Sequence, residues 1–207
     1  MKHQLIDDGV ITAIVGASGS GKTAWLKKQI AKSKRLLVWD IEAQYSFNMQ
    51  PVTNKQDLIA AIKQKEARIS YQPCSLNDFD FWAQCAFVFA KQGANIGQKT
   101  DIVAEELADV TSPAKAPAGW GMLVRRGRKY GANIYGITQR PAESDKTLFG
   151  NCMILHICAL QRAGDRQYIA QEADIDILEV KNINRGKLEF IHKNMLTGEA
   201  IKSALKF

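Results

Sequence analysis

One segment of the sequence has the residue types that bind a polyphosphate. The stretch GASGSGKT fits the pattern G-x-x-x-x-G-K-[ST] and lies between an apolar strand-like run, residues 10–15, and a stretch of helix formers. Glycines let backbone N–H groups curl around phosphate oxygens, the lysine adds a cation between the outer phosphates, and the threonine hydroxyl suits Mg²⁺. The sequence therefore predicts a site for ATP and Mg²⁺ formed by Gly16, Ala17, Ser18, Gly19, Ser20, Gly21, Lys22 and Thr23.

A pair of acids follows a second apolar run. Glu105 and Glu106 come directly after the predicted strand 100–104. In open parallel sheets, ligand-binding side chains gather at the carboxyl ends of the strands. We therefore expect Glu105 to hold Mg²⁺, directly or through water, and Glu106 to orient and polarise the attacking water. Asp101 is a rival metal ligand, but it lies at the opening end of that strand, so we favour Glu105.

A polar residue also ends the next predicted strand, 133–138. Gln139 follows this strand in the stretch ITQRP, which places it at the same edge of the sheet as the acids. A side-chain amide there is suited to sensing the γ-phosphate or its attacking water. The alternative is an ordinary polar strand end.

Alternating strand and helix patterns must position these residues, which predicts an α/β fold over a single domain, 1–207. The apolar side chains Phe79, Trp82, Ala86 and Phe89 recur at helical spacing and predict a helix that faces the core. Residues 109–121 are rich in Pro and Gly, which predicts a loop. Residues 187–192 and 199–202 are predicted to form a C-terminal hairpin. The remaining predicted strands are 36–40, 68–71 and 153–160, and the remaining predicted helices are 23–33, 56–65, 78–91 and 123–130.

Composition narrows the class of protein. The 207 residues include 46% hydrophobic and 24% charged residues, which excludes a disordered chain or a disulfide scaffold. No apolar run is long enough to span a membrane, and residues 1–8 lack the pattern of a signal peptide, so we expect an intracellular protein with reduced, buried cysteines.

The formal charge of +7 is compatible with a polyanionic partner. We interpret a basic set as a solvated helix face: Lys27, Lys28, Lys32, Lys34 and Arg35.

Three stretches in this order resemble the HerA/FtsK superfamily of P-loop ATPases. They are GASGSGKT, the strand end IVAEELAD, and RRGRKYG leading into ITQRP, and the resemblance covers residues 10–170. It implies a RecA/FtsK-like fold, a mainly parallel central sheet flanked by helices. The family usually has Asp where this chain has Glu105. Without further domains, the chain is similar to the genome-packaging ATPases of membrane-containing icosahedral double-stranded DNA viruses and phages.

The resemblance implies partners as well as an activity. It implies a hexameric ring in which an arginine from the neighbouring subunit completes each ATP site; Arg128, Arg162 and Arg166 are candidates, and we favour Arg166. Double-stranded DNA would be held through its phosphates, independently of sequence, by Lys115 or Lys99. Capsid vertex or portal-like proteins would be partners, and the protein would occur in the host cytoplasm and at the packaging vertex of the virion.

Three other functions fit the sequence. A conjugation or secretion motor shares the family motifs, although such proteins usually carry membrane anchors. A small-molecule kinase would use a carboxylate near the second strand as a base, for which Asp40 and Glu42 are candidates. In a nucleotide switch, ATP would drive assembly without turnover.

Overall fold

The computed structural model describes residues 5, 8–45, 49–64 and 67–206. Most of residues 1–8, for which the sequence predicts no signal peptide, lies outside this part. Residue 65, at the end of a predicted helix, also lies outside it. Within the described part, no helix is long and apolar enough to cross a membrane. The strands in chain order are β1 (Ile11–Val15), β2 (Leu36–Trp39), β3 (Gln50–Val52), β4 (Arg68–Tyr71), β5 (Thr100–Ala104), β6 (Ala132–Thr138), β7 (Ile154–Cys158), β8 (Glu189–Asn194) and β9 (Ala200–Ala204).

The nine strands found in the described residues form one sheet, in the order β3-β4-β2-β5-β6-β1-β7-β8-β9. The strands from β3 to β7 in this order are parallel, and the β8–β9 hairpin extends the sheet by antiparallel pairing. This confirms the predicted α/β fold with a mainly parallel sheet and a C-terminal hairpin. Because β6 lies between β1 and β5, the ends of these three strands are adjacent at one edge of the sheet.

Helices flank the sheet and connect its parallel strands. The longest is the apolar helix predicted for the core, and its residues Phe79, Trp82, Ala86 and Phe89 are buried as expected. The helices are α1 (Lys22–Ile30), α2 (Lys55–Lys63), α3 (Phe79–Asn95), α4 (Leu107–Val110), α5 (Ala118–Arg126), α6 (Lys146–Phe149), α7 (Ala163–Ala173) and α8 (Ile177–Lys181).

Only the two ends of the predicted loop 109–121 are helical. Helix α4 extends to Val110 and α5 begins at Ala118, so the irregular part is residues 111–117. The carboxylate of Asp80 on α3 accepts a 2.6 Å hydrogen bond from Gly119 N, and Trp120 Nε1 donates a 2.8 Å bond to Asp145 Oδ2. These hydrogen bonds to residues distant in the sequence stabilise the start of α5, which the Pro and Gly residues of this stretch do not predict.

The basic set is not uniformly solvated. Lys27, Lys28, Lys32 and Lys34 are exposed, but Arg35 is buried. Its guanidinium lies 3.8 Å from the centroid of the Phe89 ring and donates to the Phe89 carbonyl at 3.2 Å, and burial lowers its pKa. All four cysteines are free; Cys152 and Cys158 are buried as expected, Cys85 is half-buried, and Cys74 is exposed, contrary to expectation.

Candidate functional site

The GASGSGKT segment forms a tight loop between β1 and α1. Gly19 and Gly21 have left-handed backbones, with φ of 66° and 97°. A Cβ on Gly16 would lie 2.6 Å from the Cβ of Cys158, so only glycine fits there. Lys22 Nζ donates a 2.9 Å hydrogen bond to the Ala17 carbonyl and thereby closes the loop.

This loop fits a polyphosphate. No side chain caps the N-terminus of α1, so its first-turn amides are open to an anion. The cleft above them has a volume of about 300 Å³ and is lined by residues 19–24 and by Leu188. Lys22 is almost fully buried beneath the loop, and this burial lowers its pKa, while the carboxylates of Glu106 and Glu105 oppose the shift. The two predicted acids are therefore close enough to act electrostatically on Lys22.

Glu105 lies at the carboxyl end of β5 and is buried. Its Oε1 accepts a 2.7 Å hydrogen bond from the hydroxyl of Tyr45. Burial raises the pKa of Glu105, the Tyr45 bond opposes this rise and the nearby Asp40 carboxylate adds to it, and the net result is a pKa of about 7. The side chain of Thr23 also acts on the Tyr45 hydroxyl and opposes the rise in the pKa of that phenol. One phenol thus lies near both residues that the sequence predicts as Mg²⁺ ligands, and the hydroxyl of Thr23 and the carboxylate of Glu105 offer the oxygen donors that suit Mg²⁺.

Sequence reasoning did not give Tyr45 a role. The turn that carries it is fixed by Asp40, whose buried carboxylate accepts bonds from Gln44 N at 2.7 Å, Tyr45 N at 3.0 Å and Ser70 Oγ at 2.7 Å. Asp40, a candidate base for a kinase, therefore has its oxygens occupied by the fold. The other candidate, Glu42, is exposed and hydrogen-bonded to the Gln44 side chain.

Glu106 and Gln139 are brought together. Gln139 Nε2 donates a 2.6 Å hydrogen bond to Glu106 Oε1. Glu106 has a left-handed backbone with φ of 48°, which is rare outside glycine and is concentrated at functional sites. Because β6 lies beside both β1 and β5, Gln139 stands between the phosphate loop and the acids.

Asp101, the rival metal ligand, lies at the opposite end of β5. It accepts a 2.9 Å bond from Asn133 Nδ2 and a bond from Ser33 Oγ. It therefore ties the opening ends of the strands to the end of α1 and is remote from the phosphate loop. Among the described residues there is no group of three or more His, Cys, Asp or Glu side chains that would hold a metal by themselves.

The three candidate arginines are in different surroundings. Arg166 on α7 donates to the Leu160 carbonyl at 3.2 Å and to the Gln161 carbonyl at 2.5 Å. Arg162 is exposed and paired with Glu143, and Arg128 is exposed with its Nη1 3.7 Å from Met153 Sδ. None of these contacts involves the phosphate loop of the same chain.

The two candidate lysines lie at opposite ends of β5. Lys115 is exposed in the 111–117 segment, which follows the acids at the edge that carries the site. Lys99 precedes β5 and forms a 2.8 Å ion pair with Asp8. Only Lys115 therefore shares the edge of the sheet with the candidate site.

A further wall of the cleft, which no motif in the sequence indicates, comes from the segment between α8 and β8. Leu188 lines the cleft, and the guanidinium of Arg185 donates a hydrogen bond to the Ser18 carbonyl. Arg185 lies 167 residues from Ser18 in the sequence, so no local spacing connects them.

Comparisons with known proteins give one curated relative and several solved structures with a similar fold. Protein P9 of Pseudoalteromonas phage PM2 is 34% identical over 176 residues, covering 82% of this chain and 78% of P9. The genome packaging NTPase B204 from Sulfolobus turreted icosahedral virus 2, in complex with ATP-gammaS, has a TM-score of 0.77 at 16% identity, covering 97% of this chain and 98% of B204. The cytoplasmic domain of the Thermomonospora curvata Type VII secretion ATPase EccC has a TM-score of 0.62 at 12% identity, covering 95% of this chain and 25% of EccC.

No family model matches the sequence. The identity to P9 and the share of both chains that it covers nevertheless establish the relationship. The chain belongs to the family of Protein P9 of phage PM2, and it has the P-loop NTPase fold of B204.

Proposed function

We propose that this protein is an ATPase that drives double-stranded DNA into a viral procapsid. The observation that carries the proposal is the meeting of Lys22, Glu105, Glu106 and Gln139 at adjacent strand ends. A phosphate loop alone binds nucleotide. A carboxylate held beside it by an amide donor adds the means to activate water, which a nucleotide switch does not need.

Each residue has a defined part in hydrolysis. The loop from Gly16 to Thr23 binds the phosphates of ATP through its amides and Lys22. Thr23 and Glu105 would hold Mg²⁺, which supplies charge neutralisation at the β- and γ-phosphates. Glu106 accepts a hydrogen bond from the attacking water and takes its proton, and Gln139 keeps the Glu106 carboxylate in place and would sense the γ-phosphate.

The packaging role is supported by the family and by the fold. B204, whose fold this chain shares across almost its whole length, is a genome packaging NTPase that binds ATP-gammaS. P9 belongs to a phage, so a viral setting is common to both relatives. We infer that the protein acts in the host cytoplasm and at the packaging vertex of the virion, with capsid vertex or portal-like proteins as partners.

The motor would be a hexameric ring with ATP between subunits. In this arrangement Arg166 reaches the ATP of the neighbouring subunit and stabilises the charge of the transferring phosphoryl group. Its guanidinium donates to two carbonyls in the segment between β7 and α7, and these contacts hold it outside the phosphate loop of its own chain. Lys115, exposed after the acids, would contact DNA phosphates in the pore.

Steady-state ATP hydrolysis tests the catalytic part of the proposal. Lys22→Ala should abolish nucleotide binding, whereas Glu106→Gln should bind ATP and not turn it over. Arg162→Ala is the matched control for Arg166→Ala, because its arginine is paired on the surface. A mixture of Arg166→Ala and Lys22→Ala subunits should recover part of the turnover if Arg166 acts in trans. Wild-type turnover in Glu106→Gln would refute the mechanism.

A further inference from the structure

Arg185 lies on the outer rim of the phosphate loop. It stands in the segment between α8 and β8, and its Nη2 donates to the Ser18 carbonyl. A Cβ built on Gly19 would be 3.1 Å from the same Nη2. The guanidinium is therefore in contact with the tip of the loop, and the absence of a side chain at Gly19 lets it come this close.

The segment that presents Arg185 has a fixed shape. Asn184 N donates to Glu189 Oε2 at 3.0 Å, Glu189 N donates back to the Asn184 carbonyl at 3.0 Å, and Lys202 of β9 forms a 3.0 Å ion pair with Glu189. Leu188, which lines the cleft, has a left-handed backbone with φ of 50°. The C-terminal hairpin thus holds Arg185 and Leu188 against the phosphate loop as one wall.

Two cations lie at the phosphate loop, Lys22 in the lining of the cleft and Arg185 in contact with the tip of the loop. Lys22 lies beneath the loop, Arg185 lies on its rim, and their repulsion contributes to the lowered pKa of Lys22, after the larger effect of burial. An anion between them removes that repulsion. The bond to Ser18 uses one donor on Nη2, and a guanidinium has further N–H groups in a planar fork that matches phosphate oxygens.

We propose that Arg185 binds the polyphosphate of the nucleotide held by its own subunit, so that the C-terminal hairpin closes the phosphate loop in cis. The inference rests on the proposed ATP site and adds a contact that acts within one chain, in contrast to Arg166. The ligand class is a nucleoside di- or triphosphate, because the guanidinium lies at the loop that wraps the phosphates.

Equilibrium binding of AMP, ADP and ATP-gammaS tests this contact. The variants are Arg185→Gln, Arg185→Lys and the control Lys187→Gln, which removes an exposed cation two positions along the same segment. We expect Arg185→Gln to weaken ADP and ATP-gammaS about tenfold and AMP much less, because a charge-assisted bond to a phosphate is lost. Arg185→Lys should retain part of the affinity, and Lys187→Gln should match the wild type.

The outcomes separate this inference from the proposed function. Wild-type affinity of Arg185→Gln for ADP and ATP-gammaS would overturn the contact while leaving the ATP site intact. An equal loss for all three nucleotides would place Arg185 at the nucleoside and also overturn it. Failure of the wild type to bind any nucleotide, with Lys22→Ala no different, would refute the ATP site itself. Protection of Arg185 from a dicarbonyl reagent by ADP, but not by AMP, gives a second readout that is independent of substitution.

Discussion

The side-chain amide of Gln139 holds the carboxylate of Glu106 by a 2.6 Å hydrogen bond that joins the ends of β6 and β5. The bond leaves the second carboxylate oxygen of Glu106 for another partner. The left-handed backbone of Glu106 aims this side chain along the sheet edge, where a helical or extended residue would direct it elsewhere. The pair therefore acts as one unit at the site.

Gln139→Ala should lower the turnover of ATP about tenfold or more while leaving ATP affinity near that of the wild type. The amide positions Glu106 and contacts no part of the phosphate loop in this structure. Measurements of kcat and of nucleotide Kd separate the two effects. Gln98→Ala, at an exposed glutamine before the opposite end of β5, is the control. A matching loss of affinity would instead assign Gln139 to binding.

Tyr45 and Glu105 should be energetically coupled. Their 2.7 Å hydrogen bond is buried, so removal of the phenol leaves a carboxylate oxygen without its donor. In a double-mutant cycle with Tyr45→Phe and Glu105→Ala, urea unfolding should give a coupling free energy of about 1–2 kcal/mol. Additive changes in the free energy of unfolding would show that the bond is not formed in solution.

Asp40→Ala should be strongly destabilising. It removes the acceptor of three hydrogen bonds that fix the turn before Tyr45, and it leaves buried donors unpaired. We expect the free energy of unfolding to fall by about 3 kcal/mol or more. Glu42→Ala, at an exposed acid two residues away, should change it little. Equal stability of the two variants would contradict the structural role of Asp40.

His156 should make the protein less stable in mild acid. Burial lowers its pKa to about 3, and its ring stacks on Trp25 with a centroid distance of 3.9 Å. The imidazole has its ordinary pKa of about 6.5 in the unfolded state. Below that pH the unfolded state therefore binds a proton that the native state does not bind. Stability is therefore retained above pH 6.5 and is lost as the pH falls toward 3.

The variant His156→Phe isolates this effect. It keeps an aromatic ring beside Trp25 and removes two buried ring nitrogens that have no hydrogen-bond partner. Between pH 7 and pH 5, the wild type should lose up to about 2 kcal/mol more stability than the variant. Parallel pH profiles of the free energy of unfolding would show that His156 is not the titrating group. His192, which is half-buried near the His156 ring, is present in both the wild type and the variant.

The sheet was largely predictable because its strands are apolar runs with polar ends. Strand β3 was missed because it is three residues long and contains Pro51. Helix α7 was missed because it alternates small and polar residues without a clear apolar stripe. In both cases the backbone is held by neighbouring elements, and tertiary pairing outweighs local propensity.

Tertiary contacts also limited what could be predicted of the candidate site. The ends of the predicted strands were enough to identify part of the site, because the phosphate loop, Glu105, Glu106 and Gln139 all follow a strand directly. Arg185 reaches Ser18 across most of the chain, and Tyr45 reaches Glu105 across 60 residues. The burial of Arg35 escaped prediction for a related reason, because the Phe89 ring that covers it lies on α3, 54 residues away in the sequence. Contacts of this kind depend on packing, which local spacing does not encode.

The most direct test of the account is ATP hydrolysis by the purified protein with and without long double-stranded DNA. We predict that DNA of any sequence raises turnover, that the stimulation weakens as salt rises because the contacts are to phosphates, and that Glu106→Gln abolishes it. Lys115→Ala should reduce the stimulation and leave the basal rate unchanged. Turnover that is indifferent to DNA, or that requires a small-molecule acceptor, would contradict the packaging function.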